Sequence, residues 1–263
     1  MKFDWKKEFY SIVSSAKSLD RKTLVILLSV PVLQTISWYL TSRQFFRTNF
    51  YYSMFNLYPD ADLYEFIYWF LGDFITIFLL PVLIIKTIFR ESIAGYGLNL
   101  KEINFGLRVT AASIMVMLPV IWIASGTSSF MSAYPLLESS KYDWGKFLLF
   151  QAFLLVFVFA WEFFWRGYML FGLKKEFGYY SIILQMIPFV ILHNGKPFME
   201  TSGAIFGGLL LGIIAFRTGS FLYGVVIHYA VLFFIDFFSI LRFREGDIVA
   251  GTDSLFRIFS KLF

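Results

Sequence analysis

The 263-residue chain has no cysteine, which excludes disulfides and thiolate metal sites but does not specify a compartment. Charge is scarce as well. Asp, Glu, Lys and Arg make up 16%, against about 25% in a soluble domain. The net charge of +5 is small and spread over connecting segments. It reads as a topology signal, and nucleic acid is not an expected partner. Only two histidines occur, His193 and His228. No internal repeat or low-complexity tract stands out. No cleavable signal peptide is expected either: the N-terminal stretch MKFDWKKEFYSIVSSAKSLDRK is mixed in charge, and no small-residue cleavage site follows the first apolar run.

What the chain does have is apolar and aromatic. Hydrophobic residues make up 58%, 35 residues are Phe, and mean hydropathy is +0.68. The expectation is an all-α, multi-pass transmembrane helical bundle of about seven to eight spans. Apolar runs place spans at 23–40, 63–89, 107–125, 147–173, 179–193, 202–216 and 221–241. Pro31 is a tolerated kink in the first. Residues 41–62 read as an aromatic, polar connection, 90–106 as a Gly-punctuated loop and 126–146 as a Ser/Gly/Pro-rich loop. Residues 1–146 look like scaffold, and 147–241 hold nearly all the candidate chemistry. Residues 242–263 look like a basic amphipathic tail on the membrane surface, all within one integrated membrane domain. Six Lys and Arg lie before the first span, against two in residues 41–62. That bias favours a cytoplasmic N-terminus.

The stretch organising the rest is 157–168, FVFAWEFFWRGY. It sets Glu162 and Arg166 in an apolar run. Four residues apart on a helix, the two share a face. An ionisable group at membrane depth is costly and defaults to a functional hypothesis with a named partner. His193 and His228 also fall in or at the ends of predicted spans. Counting rises from the cytoplasmic ends puts Glu162 at roughly 18 Å, His193 at roughly 22 Å and His228 at roughly 12 Å. One shared site is compatible with that spread. A carboxylate in a dry site can act as general base on a water. Imidazoles can orient the water, donate to an oxyanion or bind a metal. Arg166 would hold the carboxylate ionised or bind substrate backbone. Glu200, Asp236 and Lys196 are secondary candidates. The pairs Gly203-x-x-x-Gly207 and Gly208-x-x-x-Gly212 read as close-packing positions. The same polar residues also admit structural readings, as a buried ion pair and as core or interfacial histidines.

At these residues the chain resembles the CPBP family of CAAX-protease and bacteriocin-processing intramembrane proteases. That family carries Glu-Glu-x-x-x-Arg, then Phe-x-x-x-His, then a final His often followed four residues later by Asn. Here the motifs read Glu162-x-x-x-Arg166, Phe189-x-x-x-His193 and His228. Trp161 stands where the family has its first glutamate, usually assigned as the base, and Leu232 where it has Asn. The resemblance implies a bundle of about eight helices and cleavage of peptide bonds near the membrane.

Two readings follow. One is an intramembrane endopeptidase, a hydrolase of CPBP type in a bacterial cytoplasmic membrane. It would cut a membrane-anchored protein or peptide with Glu162, His193, His228 and Arg166 as catalytic residues. The other is a catalytically silent relative in binding or immunity, favoured by Trp161 in place of Glu. A proton-coupled transporter is a third class, and no paired broken spans support it. The resemblance implies no cofactor. A divalent metal such as zinc on Glu162, His193 and His228 is the alternative.

Overall fold

A computed structural model describes residues 4–246, and no strand occurs among them. Helices follow one another as α1 (Trp5–Ser18), α2 (Arg21–Phe55), α3 (Ala61–Phe89), α4 (Ile103–Ser125), α5 (Ser128–Ala133), α6 (Trp144–Phe177), α7 (Tyr180–Ile191), α8 (Phe198–Thr218) and α9 (Leu222–Glu245). Six of them, α2, α3, α4, α6, α8 and α9, are long and apolar enough to cross a membrane. The protein is a multi-pass helical membrane protein. The basic amphipathic tail expected at its C-terminal end lies almost entirely outside the described residues.

Two expectations need correcting. Residues 41–62 are not an open connection. The first helix runs on to Phe55, bent at Ser42, where the backbone becomes extended (φ −72°, ψ 160°). The Ser42 hydroxyl caps the resumed helix by accepting from the Phe45 N–H. The continuation is held by its aromatic face: the Phe46 ring lies 5.4 Å from Tyr68 and 5.2 Å from Phe55. Arg43 and Arg47 also both reach the buried Glu65. The second correction is α7, with only 12 residues. At 1.5 Å per residue it is about 18 Å long, short of the roughly 30 Å hydrocarbon core. It stops two residues before His193.

Enclosure divides the bundle. In the most apolar window of α6, 61% is buried within the protein, and in α9 56%, against 28% in α2, α3 and α4. The central helix is therefore α6, and the first three long helices present most of their surface outward. α3 lies along α6, α4 along α9, and α7 along α8. Asp143 starts α6 by accepting from the N–H groups of Gly145 and Lys146. The α2–α3 junction is tied by Asp73, which accepts from Ser37 Oγ (2.6 Å), Thr41 Oγ1 (2.8 Å) and Trp69 Nε1 (2.9 Å).

The small-residue spacings of α8 serve unequally. A Cβ on Gly208 would meet Met186 Cγ at 2.8 Å, and one on Gly212 would meet Ile182 Cγ2 at 2.8 Å. Gly203 and Gly207 have open space. The close face lets Gln185 Nε2 of α7 donate to the Gly208 carbonyl at 3.0 Å. Gly212→Val is therefore expected to destabilise the protein by about 1–3 kcal/mol through overpacking. Gly207→Ala should leave the unfolding midpoint in detergent unchanged.

Candidate active site

Glu162 is the last residue of the regular α6 winding. The next nine residues, Phe163–Phe171, are wound as a π-helix. Four shorter or equal stretches of α2 and α3 are wound the same way, so the winding itself does not single out this site. Arg166 lies in this segment and donates from Nη1 to Glu162 Oε1 at 2.9 Å. Both side chains are fully buried, so the ion pair predicted from spacing is present in a dry interior.

The third member comes from α9. His228 Nδ1 lies 2.7 Å from the same Glu162 oxygen, Oε1. Room for this meeting is made by Gly224, one turn before His228. A Cβ there would stand 3.0 Å from Glu162 Oε2. Even an alanine there would require the carboxylate to give way by a few tenths of an ångström.

Phe189 organises the fourth member. Its carbonyl accepts from His193 Nδ1 at 2.7 Å. Its ring lies 4.6 Å from the His193 ring and 6.1 Å from the His228 ring. The Arg166 guanidinium sits 4.1 Å from the centre of that ring. Cation–π attraction of this kind is worth about 2 kcal/mol or more when desolvated. The Phe-x-x-x-His spacing thus has a direct physical use: the carbonyl one turn back orients the imidazole. Thr201 Oγ1 donates to the His193 carbonyl at 2.8 Å and ties the turn after α7 to α8.

His193 and His228 line a cavity of about 780 Å³. Its remaining wall comes mainly from apolar residues of α4, α8 and α9. Glu162 and Arg166 lie behind the wall, not on it. Glu200 is the one carboxylate on the wall. It is held by Lys196 Nζ through Oε1 and by the Tyr134 hydroxyl through Oε2. Burial, reinforced by the Glu200 charge, pushes the Tyr134 phenol well above its usual range, so it stays a donor. Asp236 is not on the wall. It accepts from the Leu136 N–H (2.8 Å) and from Gln151 Nε2 (3.0 Å), joining α9 to the 134–137 loop and to α6. Among the described residues no three His, Asp or Glu side chains gather closely enough to hold a metal ion.

The structure therefore brings Glu162, Arg166 and His228 into direct contact and sets His193 on the same wall. It ties Lys196 to Glu200 at the rim. Three contributors escaped the sequence reading. Gly224 could have been noticed, since it lies one helical turn from His228. Nothing in the sequence marks Tyr134 as the partner of Glu200. The Phe189 ring was visible only as a motif letter.

This geometry is that of a helical membrane protein with a carboxylate–imidazole pair set behind an apolar chamber. Over residues 143–234 the chain matches a family model described as Type II CAAX prenyl endopeptidase Rce1-like. The resemblance read from the three motifs is borne out there, since the matched stretch contains Glu162, Arg166, His193 and His228. No curated protein matches the chain. No solved structure matches it.

Breaking the buried pair from one side should be costly. Arg166→Leu leaves Glu162 without its guanidinium, and a loss of about 3–5 kcal/mol in stability is expected, read as a lowered unfolding midpoint in detergent. Glu162→Gln together with Arg166→Leu should recover part of that loss. A double variant as unstable as the single would show that the pair is not coupled.

Proposed function

We propose that the protein is an intramembrane endopeptidase of the CPBP type, cutting a membrane-anchored protein or peptide near its anchor. The observation that carries this reading is the Glu162–His228 hydrogen bond at the wall of an apolar cavity that His193 also lines. An apolar chamber suits a lipid-linked or hydrophobic peptide end. A carboxylate-backed imidazole beside it is equipment for moving the protons of water. The family model is itself named for a prenyl endopeptidase, which supports a lipidated peptide terminus as the first substrate class to try. We read the reaction as metal-free, with Arg166 supplying the countercharge that Glu162 needs. The Lys and Arg bias supports a cytoplasmic N-terminus in a bacterial cytoplasmic membrane.

A second reading has its own observation. Trp161, at the position of the family's first glutamate, is stacked among Phe157 (5.6 Å), Trp165 (5.6 Å) and Phe189 (6.2 Å). That aromatic seat leaves the site with one carboxylate where the family has two, as in a silent relative that binds without cutting.

The test uses an internally quenched peptide ending in a farnesylated Cys-a-a-X sequence, with protein in proteoliposomes, beside membrane proteomics of a deletion host. Wild type should cut the peptide or clear a precursor. Glu162→Gln, His193→Ala and His228→Ala should each lose about 10²–10⁴-fold in rate. Cleavage should survive exhaustive chelation. Loss on chelation with recovery on added zinc would sink the metal-free version. Three variants that behave as wild type would make the histidines and the glutamate architecture.

A further inference from the structure

We propose that the atom taking the proton from the attacking water is His228 Nε2, and that Glu162 is a positioning residue acting through it. This rests on the peptidase reading and divides the labour within it. It departs from the role the family resemblance implies, in which a glutamate is the base.

Glu162 has no oxygen available to the chamber. Oε1 receives both His228 Nδ1 and Arg166 Nη1. Oε2 is buried beside Gly224, with 3.0 Å to the point where a Cβ would be. The side chain as a whole is 0% exposed and is not part of the cavity wall. His228 is on that wall, with 12% of its side chain exposed.

The partner of each ring fixes its tautomer. A carboxylate backed by a guanidinium accepts hydrogen bonds, so His228 Nδ1 carries the hydrogen that meets Glu162. In the neutral ring its Nε2 then holds the lone pair. The same logic applies to His193. The Phe189 carbonyl can only accept, so His193 Nδ1 donates and Nε2 is bare. In their neutral forms both imidazoles therefore offer acceptors, not donors, from the wall of one chamber. That arrangement fits capture and deprotonation of a water. It does not fit an oxyanion site made from neutral histidines.

No other carboxylate competes for the role. Trp161 fills the position of the family's first glutamate. Glu200, the one carboxylate on the wall, is held by Tyr134 and Lys196.

The step balances without an added reactant. His228 Nε2 takes one proton from water as the water oxygen bonds to the scissile carbonyl carbon. The imidazolium, steadied by the Glu162 charge, returns that proton to the leaving nitrogen as the C–N bond breaks. The products are a carboxylic acid and an amine, and His228 is neutral again. His193 Nε2 can accept the hydrogen that water retains. Carboxylate, imidazole and attacking oxygen are then in the order of a hydrolytic triad, with water in place of a serine.

The chain has only two histidines, so ring-¹⁵N-histidine labelling gives two imidazoles to observe. With both rings neutral, the expected nitrogen spectrum shows a protonated Nδ1 and a bare Nε2 on each. Glu162→Gln should release the tautomer of His228 and leave His193 unchanged, which also reports that the variant is folded. A protonated Nε2 on His228 in the wild type overturns the proposal.

The kinetic arm uses the farnesylated peptide and His228→Gly with added imidazoles of graded basicity. Turnover should return and rise with basicity, by tenfold or more across the series. The decisive variant is Glu162→Gln combined with His228→Gly. If Glu162 acts through His228, imidazole still rescues the double variant, with the same dependence on basicity. If Glu162 is the base, no imidazole does, and the assignment fails. Wild-type protein that cuts neither the peptide nor any membrane precursor overturns the peptidase reading itself. Wild-type protein that cuts while the double variant stays dead overturns only the division of labour.

Discussion

A carboxylate in a dry interior needs a partner at close range. The cost of stripping water from an ion is several kcal/mol even after relaxation, and only good geometry offsets it. Glu162 is fully buried, and the surrounding residues are placed accordingly. Arg166 follows one turn later on the same helix. Gly224 leaves space on the facing helix so that His228 can reach the same oxygen. Phe189 covers the guanidinium from the third side and turns its own carbonyl to His193. The π-helical stretch after Glu162 belongs to the same solution, since it carries Arg166 through the most enclosed part of the bundle. Each of these features has another use in principle. Together they are what one buried charge demands.

Among the described residues three other carboxylates are buried: Glu65 is held by Arg43 and Arg47, while Asp73 and Asp236 are held by neutral donors. Asp73 receives three neutral donors, from Ser37, Thr41 and Trp69. Asp236 receives a backbone N–H and an amide. Neither has a cation against it, and each ties neighbouring helices together, which suits a structural fastening. Glu162 alone is paired with both a guanidinium and a titratable ring, and that ring faces a chamber. The difference in partners, more than depth or burial, separates Glu162 from the fasteners.

Much of this was legible in the chain, and the limits have physical causes. Helical spacing alone put Glu162 and Arg166 on one face, because that relation is local. The pairing with His228 spans 66 residues and depends on the axial register of α6 against α9. Depth counting could make the meeting plausible but could not choose an oxygen. Asp236 and Glu200 looked alike as nearby carboxylates. Their separation into a buried fastening and a rim residue follows from a connecting loop, residues 134–137, whose path no periodicity encodes. Residues 41–62 were misread because aromatic and polar letters mixed together resemble a loop. The helix there is held by tertiary contacts, the Phe46–Tyr68 packing and Glu65 binding two arginines, and local propensity does not report those.

The short α7 has a consequence for the chemistry. A helix of about 18 Å is shorter than a hydrocarbon core of about 30 Å. Its last turn must then satisfy its carbonyls without a further helical turn. The Phe189 carbonyl does so through His193, and the His193 carbonyl through Thr201. A full-length span would have tied the Phe189 carbonyl to the next turn's amide and left His193 free to rotate. Stopping early makes helix termination itself the device that orients an imidazole. It also explains why the motif spacing is four residues, since a carbonyl at the end of a helix lies one turn below the side chain it can hold. In the non-helical turn that follows, His193 is buried and lines the cavity, while Asn194, Gly195 and Lys196 are exposed. The oriented histidine is therefore a consequence of one structural fact, a helix that stops two residues before it.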